Sequence, residues 1–240
     1  MISRLEAHTQ NLESLVDARS LELQEEKAKA ETLLQELLPK SVIDDFKHGK
    51  PLKPQTYEEV SIFFSDIVSF TKISAAGTPM DVVRMLNSMY TLFDDISAKF
   101  DVYKIATIGD AYFVASGVPV RNGNRHAFEI ISMALSLLKA SESFTIPHLP
   151  LETMKMRIGI HTGPCVAGVV GVKTPRYLLF GETVDTASKM ESSGEAMKIH
   201  ISETTASIVE EFDQFKVTYR QMDNPKGLQH LNTYWVEDNM

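Results

Sequence analysis

The run Ser61-Ile-Phe-Phe-Ser-Asp66-Ile-Val-Ser-Phe-Thr71 leaves little freedom to any fold built around it. Ser61 to Phe64 have the bulk of a buried strand. One carboxylate, Asp66, then stands among Phe63, Phe64, Ile67, Val68 and Phe70. A lone charge in apolar company is costly unless a cation or hydrogen-bond donors meet it. Two readings fit: Asp66 caps the turn or helix after the strand, or it ligates a metal. Asp66 by itself does not choose between them.

Upstream, residues 1–38 contain no Gly or Pro and are rich in Glu, Lys, Leu and Ala. A heptad frame puts Ile2, Thr9, Val16, Leu23, Ala30 and Leu37 at a positions and Leu5, Leu12, Arg19, Glu26 and Leu33 at d positions. This pattern suits a parallel two-stranded coiled coil with a weak middle, because Arg19 and Glu26 fall in the seam. The alternative is one amphipathic helix lying on the domain. Pro39 ends the helix, and the spacing predicts a short helix over Ser41–Lys47 before a loop marked by Gly49, Pro51 and Pro54.

Downstream, Thr78-Pro79 is a helix start, with Thr as N-cap and Pro in the first turn. Val82, Val83, Leu86, Met89, Tyr90, Phe93 and Ile96 form its apolar face and are assigned to the core. Two strand-like runs then flank Gly109-Asp110, a two-residue hairpin signal. Asp110 at that tip is either a turn residue or a second ligand near Asp66. A helix follows over 123–140, with Ala127, Ile130, Ile131, Ala134, Leu137 and Leu138 inward and Arg125-His126 at its exposed start. Then come strands over 154–161, 162–171 and 176–180, a helix over 182–193, a strand over 198–201, a helix over 202–211 and strands near 214–220 and 231–236.

This order predicts an α+β domain, a ferredoxin-like βαββαβ sheet with helices on one face and extra C-terminal α/β elements, preceded by a coiled-coil helix. The boundaries are a coiled-coil signalling helix over 1–38, a linker over 39–56 and the domain over 57–238. Charge excludes one class of partner: the formal net charge of −8 argues against a nucleic-acid surface. The single cysteine, Cys165, gives neither a disulfide framework nor a cysteine zinc site. No apolar run is long enough to span a membrane, and the chain opens inside a helical pattern, as a piece of something longer would. His161 with Cys165 reads better as a strand-end histidine and a small core thiol than as a nucleophile and base. The glycines at 163, 168 and 171 precede no helix, so they form no phosphate loop.

Two aspartates at neighbouring strand ends suit a two-metal site for phosphoryl chemistry. Six segments sharpen this: Phe64-Ser-Asp-Ile-Val-Ser-Phe-Thr71, Tyr103-Lys-Ile-Ala-Thr-Ile-Gly-Asp-Ala-Tyr112, Arg121-Asn-Gly-Asn-Arg-His126, Arg157-Ile-Gly-Ile-His-Thr-Gly163, Val166-Ala-Gly-Val-Val-Gly171 and Pro175 through Ser192. Together they resemble a class III nucleotidyl cyclase catalytic domain, most nearly the receptor-type guanylyl cyclases, over nearly the whole chain. The resemblance implies conversion of GTP to cGMP and pyrophosphate. It also implies two Mg²⁺ or Mn²⁺ ions per site and sites formed between head-to-tail partners. It places the metals on Asp66, Ile67 (through its carbonyl) and Asp110, and the phosphates near the amides of Val68, Ser69 and Phe70.

The nucleotide half departs from that pattern. Ala106 stands where guanylyl cyclases carry a guanine-reading Glu, and Leu178 where they carry Cys. Asp185 replaces the transition-state Asn and Lys189 the transition-state Arg, while Lys226 retains the phosphate-binding Lys. Losing one preorganised donor costs about 3 kcal/mol of transition-state stabilisation, and each unpaired guanine group about 1–3 kcal/mol. The expectation is a chain silent or very weak as a homodimer, which donates the metals to a heterodimer partner that has the intact nucleotide half. A homodimer stays possible. The alternatives are a silent pseudo-cyclase serving dimerisation or regulation, and a weak cyclase with relaxed purine choice. The resemblance further implies a cytosolic location as part of a larger membrane receptor, with contact to the membrane only through an upstream region.

Overall fold

The computed structural model describes residues 2–48, 50, 52–171, 174–220 and 231–239. They fall in two compact units: residues 1–53 with 169–177, and residues 54–168 with 178–240.

The first unit is dominated by α1 (Ile2–Leu37) and α2 (Lys40–Lys47). Lys47 meets Glu31 at 2.8 Å, joining the two helices. Leu12, Val16, Leu23, Leu33 and Leu37, all seam positions of the heptad, are exposed.

The second unit is organised on β1 (Gln55–Ile67), which is longer than its bulky centre predicts and carries Asp66 inside the strand rather than in a cap after it. A short helix, α3 (Phe70–Ala75), follows and has no counterpart in the sequence reading. Then come α4 (Pro79–Ser97), the hairpin β2 (Tyr103–Ile108) and β3 (Ala111–Ser116), α5 (Arg125–Ser143) and β4 (Met156–Val170). The last of these is one continuous strand where two were expected. The chain closes with β5 (Arg176–Phe180), α6 (Glu182–Ser192), β6 (Ile199–Ser202), α7 (Glu203–Val209), β7 (Phe215–Tyr219) and β8 (Thr233–Asp238).

The sheet order is β2-β3-β1-β4-β6-β8-β7, with β5 paired to β4. Its first four strands are antiparallel neighbours, the ferredoxin-like arrangement, in which β1 lies between β3 and β4. β6 joins parallel to β4 and is followed by the antiparallel β8 and β7. Thr78 caps α4 as expected: its hydroxyl accepts from the Asp81 amide, and the Asp81 carboxylate accepts from the Thr78 amide at 3.0 Å, with Pro79 in the first turn.

Period two in β4 assigns the two faces of the sheet. Ile158 and Ile160 enter a core with Met85, Met89 and Phe93 of α4, Ile130, Ala134 and Leu137 of α5, and Ala206 and Val209 of α7. Gly159 points the other way, and a Cβ there would lie 1.9 Å from the Glu191 nitrogen of α6. Helices therefore cover both faces, not one. Within α4 the buried stripe runs through Met85, which replaces the expected Val83; Val83 is 52% exposed. His126 is not on the surface either. It is buried and its Nδ1 meets Ser61 Oγ at 2.8 Å.

Candidate active site

Asp66 is the penultimate residue of β1 and Asp110 the last residue of the β2–β3 turn. The register Ser65–Tyr112 between β1 and β3 brings that turn against the end of β1. The Ile67 amide points to Asp110 Oδ2 at 3.4 Å, a long contact. Burial pushes the Asp110 carboxyl up to about 7, and hydrogen bonding and charge from Asp66 add to the rise. Two carboxyls face one another here, so Asp110 gives up its proton less readily than an isolated aspartate does. Tyr90 of α4 stands beside them. Its hydroxyl, pushed up to about 12 by burial and then by Asp110, Asp66 and Asp94, donates to the Gly109 carbonyl. Tyr90, assigned to the core from its spacing, thus serves the hairpin tip.

Asp66 also has a cationic partner that sequence reading missed. It pairs across the β1–β4 ladder with Arg157, whose Nη2 donates to Asp66 Oδ2 at 3.0 Å. Arg157 Nε donates to Glu191 Oε1 at 3.1 Å. Burial raises the Glu191 carboxyl, and Arg157 opposes that rise.

Asp66, Ile67 and Asp110 are therefore brought together. Among the described residues no group of three or more His, Cys, Asp or Glu side chains could hold a metal. Two facing carboxylates plus a main-chain carbonyl suit a Mg²⁺ or Mn²⁺ shell that substrate phosphates and water complete. The turn beyond β1 is partly as expected. Ser69 adopts a left-handed conformation, φ 62° and ψ 30°, and caps α3 without a side-chain hydrogen bond. Phe70 opens that helix. Val68, however, does not present its amide to a ligand, because it donates to the Lys155 carbonyl at 2.8 Å.

The remaining positions lie elsewhere. Ala106, half-buried, is on β2, and Leu178, half-buried, is on β5 beyond β3, β1 and β4. Asp185 and Lys189 lie one turn apart on α6, both exposed. Lys226 falls outside the described residues. His161 and Cys165 line a cavity of about 390 Å³ with Phe180, Thr183 and Thr186, in which no candidate site residue takes part. Burial pushes the Cys165 thiol up to about 11 and His161 down to about 4. His161 Nδ1 is engaged with Ser202 Oγ at 2.7 Å. A protonated thiol beside a neutral, otherwise occupied imidazole is no nucleophilic pair.

The ferredoxin-like sheet thus brings two aspartates together at the ends of β1 and a hairpin, an arrangement suited to two-metal phosphoryl chemistry. Residues 52–238 match the adenylate and guanylate cyclase catalytic domain family, and the chain belongs to it. It is 52% identical over 236 residues to atrial natriuretic peptide receptor 2 of Homo sapiens, covering 98% of this chain and 22% of that protein. It is 50% identical over 236 residues to the speract receptor of Strongylocentrotus purpuratus, with 98% and 21% covered. The chain thus spans about a fifth of the curated relatives it matches. Among solved structures, the guanylate cyclase domain of RhGC from Catenaria anguillulae in complex with GTP aligns with TM-score 0.71 and 37% identity, covering 77% of this chain and 98% of that one. The adenylyl cyclase CyaB from P. aeruginosa aligns with TM-score 0.68 and 27% identity, covering 79% and 98%.

Proposed function

We propose that this chain converts GTP to cGMP and pyrophosphate as the metal-donating member of a heterodimer of cyclase domains. The observation that carries the reading is the meeting of Asp66 and Asp110 at the end of β1. In it, Asp66, Asp110 and the Ile67 carbonyl hold two Mg²⁺ or Mn²⁺ ions. When bound, these supply a lowered pKa for the ribose 3′-hydroxyl and charge neutralisation at the phosphates. The 3′-oxygen attacks the α-phosphorus, the bond to pyrophosphate breaks, and the hydroxyl proton leaves to water. Ser69 and Phe70 amides, in the turn into α3, face the phosphates.

The nucleotide half supports the heterodimer. Ala106 and Leu178 offer no acceptor to the guanine edge. Asp185 places a negative charge where negative charge develops, and Lys189 lacks the planar fork of Arg. The partner supplies the intact counterparts. Residues 1–38 form the coiled coil of the dimer, 39–56 the linker and 57–238 the catalytic domain. The relatives are receptors, which supports a place on the cytosolic side of a larger membrane protein. Among the described residues no helix is long and apolar enough to cross a membrane.

The test is an assay with Mn²⁺ and GTP of the chain alone and mixed with a family member whose nucleotide half is intact. The mixture should be active and the chain alone nearly silent. In the mixture, Asp66→Ala should abolish cGMP formation and Lys189→Ala should leave it unchanged. Strong activity from the chain alone would refute the heterodimer reading. A silent mixture would favour a regulatory pseudo-cyclase, and equal use of ATP a cyclase of relaxed purine choice.

A further inference from the structure

Asp66 stands opposite Arg157 in the β1–β4 ladder, and the guanidinium reaches it at 3.0 Å. The same group reaches Glu191 at 3.1 Å. Glu191 is not on a loose arm. Helix α6 rests on bare backbone at Gly159, where a Cβ would fall 1.9 Å from the Glu191 nitrogen, so the helix and β4 hold a fixed separation. The side chains of Arg157, Asp66 and Glu191 are 30%, 28% and 12% exposed, so water screens this array only in part. A planar guanidinium can serve both carboxylates at once.

We propose that Arg157 and Glu191 are positioning residues that set the divalent-cation affinity of the Asp66 site. The inference rests on the metal-donating reading above and adds a control to that site. Arg157 puts a positive charge on the carboxylate that a dication must share. Glu191 draws that charge toward α6 and leaves Asp66 partly free. Without Glu191, Arg157 turns wholly to Asp66 and opposes the cation. Without Arg157, Asp66 has no competing counter-charge and takes the cation more tightly. The two substitutions therefore move affinity in opposite directions, whereas simple damage to a scaffold would weaken binding in both.

The experiment titrates Mn²⁺ alone into the full chain and follows unbound Mn²⁺ by electron paramagnetic resonance. It compares the native chain with Arg157→Gln, Arg157→Lys, Glu191→Gln, Arg157→Gln/Glu191→Gln and Asp66→Ala. Arg157→Gln should tighten Mn²⁺ binding and Glu191→Gln weaken it, each by about threefold or more, as expected of a unit charge a few ångströms from a partly screened site. The Glu191→Gln effect should shrink by at least about half in the Arg157→Gln background, because Glu191 acts through Arg157. Arg157→Lys keeps the charge but not the fork that spans both carboxylates, so its Mn²⁺ affinity should fall between native and Arg157→Gln, which keeps the test open if Arg157→Gln folds poorly. Weakening by both single substitutions, or an undiminished Glu191→Gln effect in the double variant, overturns the inference. Mn²⁺ binding that survives Asp66→Ala overturns the metal reading itself, a result distinct from the other two.

Discussion

The Tyr90 hydroxyl donates a hydrogen bond to the Gly109 carbonyl, so a residue of α4 holds the hairpin tip one position before Asp110. Lys104 reinforces the same corner. Its ammonium reaches both Asp94 oxygens at 2.8 and 2.7 Å and lies over the Tyr90 and Tyr112 rings. The Tyr112 hydroxyl completes the network on Asp94 at 2.7 Å. The second candidate metal carboxylate is thus fixed by an aromatic and ionic cluster, not by the turn alone.

Tyr90→Phe removes that hydroxyl and little else. Losing one such hydrogen bond should cost about 0.5–1.5 kcal/mol. If the loss falls on the alignment of Asp110 in the working dimer, cGMP formation should drop about two- to tenfold. Thermal unfolding should move by only a few degrees. Steady-state assays beside calorimetry would check this, and unchanged activity would show that the hairpin holds Asp110 unaided.

Two glycines near the site should respond very differently to alanine. Gly159→Ala drives a methyl into the α6 backbone, where no flexible side chain can give way. We expect a loss of about 3 kcal/mol or more and a displaced α6. Gly109 has a φ of +65° and open space around its missing Cβ. Gly109→Ala should therefore cost only about 1 kcal/mol, the strain of the left-handed backbone. Urea denaturation midpoints at constant slope would separate the two.

Stability should also carry two opposed pH dependences. Burial lowers His161 and His200 from 6.5 to about 4. Burial and the adjacent Arg220 guanidinium, 3.1 Å from Nε2, hold His200 neutral against the hydrogen bond from Nδ1 to the Met190 carbonyl, which favours the charged ring. Between about 4 and 6.5 the unfolded chain binds more protons than the folded one, so this stabilisation is complete above 6.5 and lost as pH falls. Asp110 works the other way: its folded value of about 7 exceeds 3.8, so its ionisation destabilises the fold as pH rises across that interval. Without divalent ions, Asp110→Asn should be more stable than native at pH 8 and nearly equal to it at pH 4. Melting temperatures at the two pH values would test this, and no gain at pH 8 would contradict the raised carboxyl.

Much of this arrangement was legible beforehand, for reasons that differ by residue. The hairpin around Gly109-Asp110 and the Thr78 cap are local chemistry, written in adjacent residues. The apolar face of α4 was legible as a period but its phase was off, so Met85 went unnoticed beside Val83. Helix α3 is too short for any period to show. Gly163 and Pro164 made β4 look like two strands, although its ladder with β1 continues past them to Ala167. Arg157 and Glu191 were invisible as site residues because their roles depend on register and on a helix docked 34 residues away. Val68 failed for the same kind of reason, since its amide was already taken by Lys155 across the sheet.

The long N-terminal helix bears on how two chains meet. Its seam residues Leu12, Val16, Leu23 and Leu33 are 50%, 64%, 70% and 61% exposed. Arg19 and Glu26 interrupt the same seam. Among the described residues Arg19 pairs with Glu22, at 2.7 Å, in an exposed pair of little energetic weight. If residues 1–38 pair two chains, Arg19→Leu with Glu26→Leu turns two polar d positions into good ones. Burying two leucines in place of those charges should add several kcal/mol to the dimer at about 25 cal/mol per Å², a gain of tenfold or more in affinity. Sedimentation equilibrium would measure it. The same substitutions should also freeze the weak middle of the coil, so that coupling to any upstream segment is lost while the mixed-dimer cyclase activity stays fixed at one level. Dimer affinity that ignores both substitutions would place residues 1–38 as a lone helix and leave association to the catalytic domain.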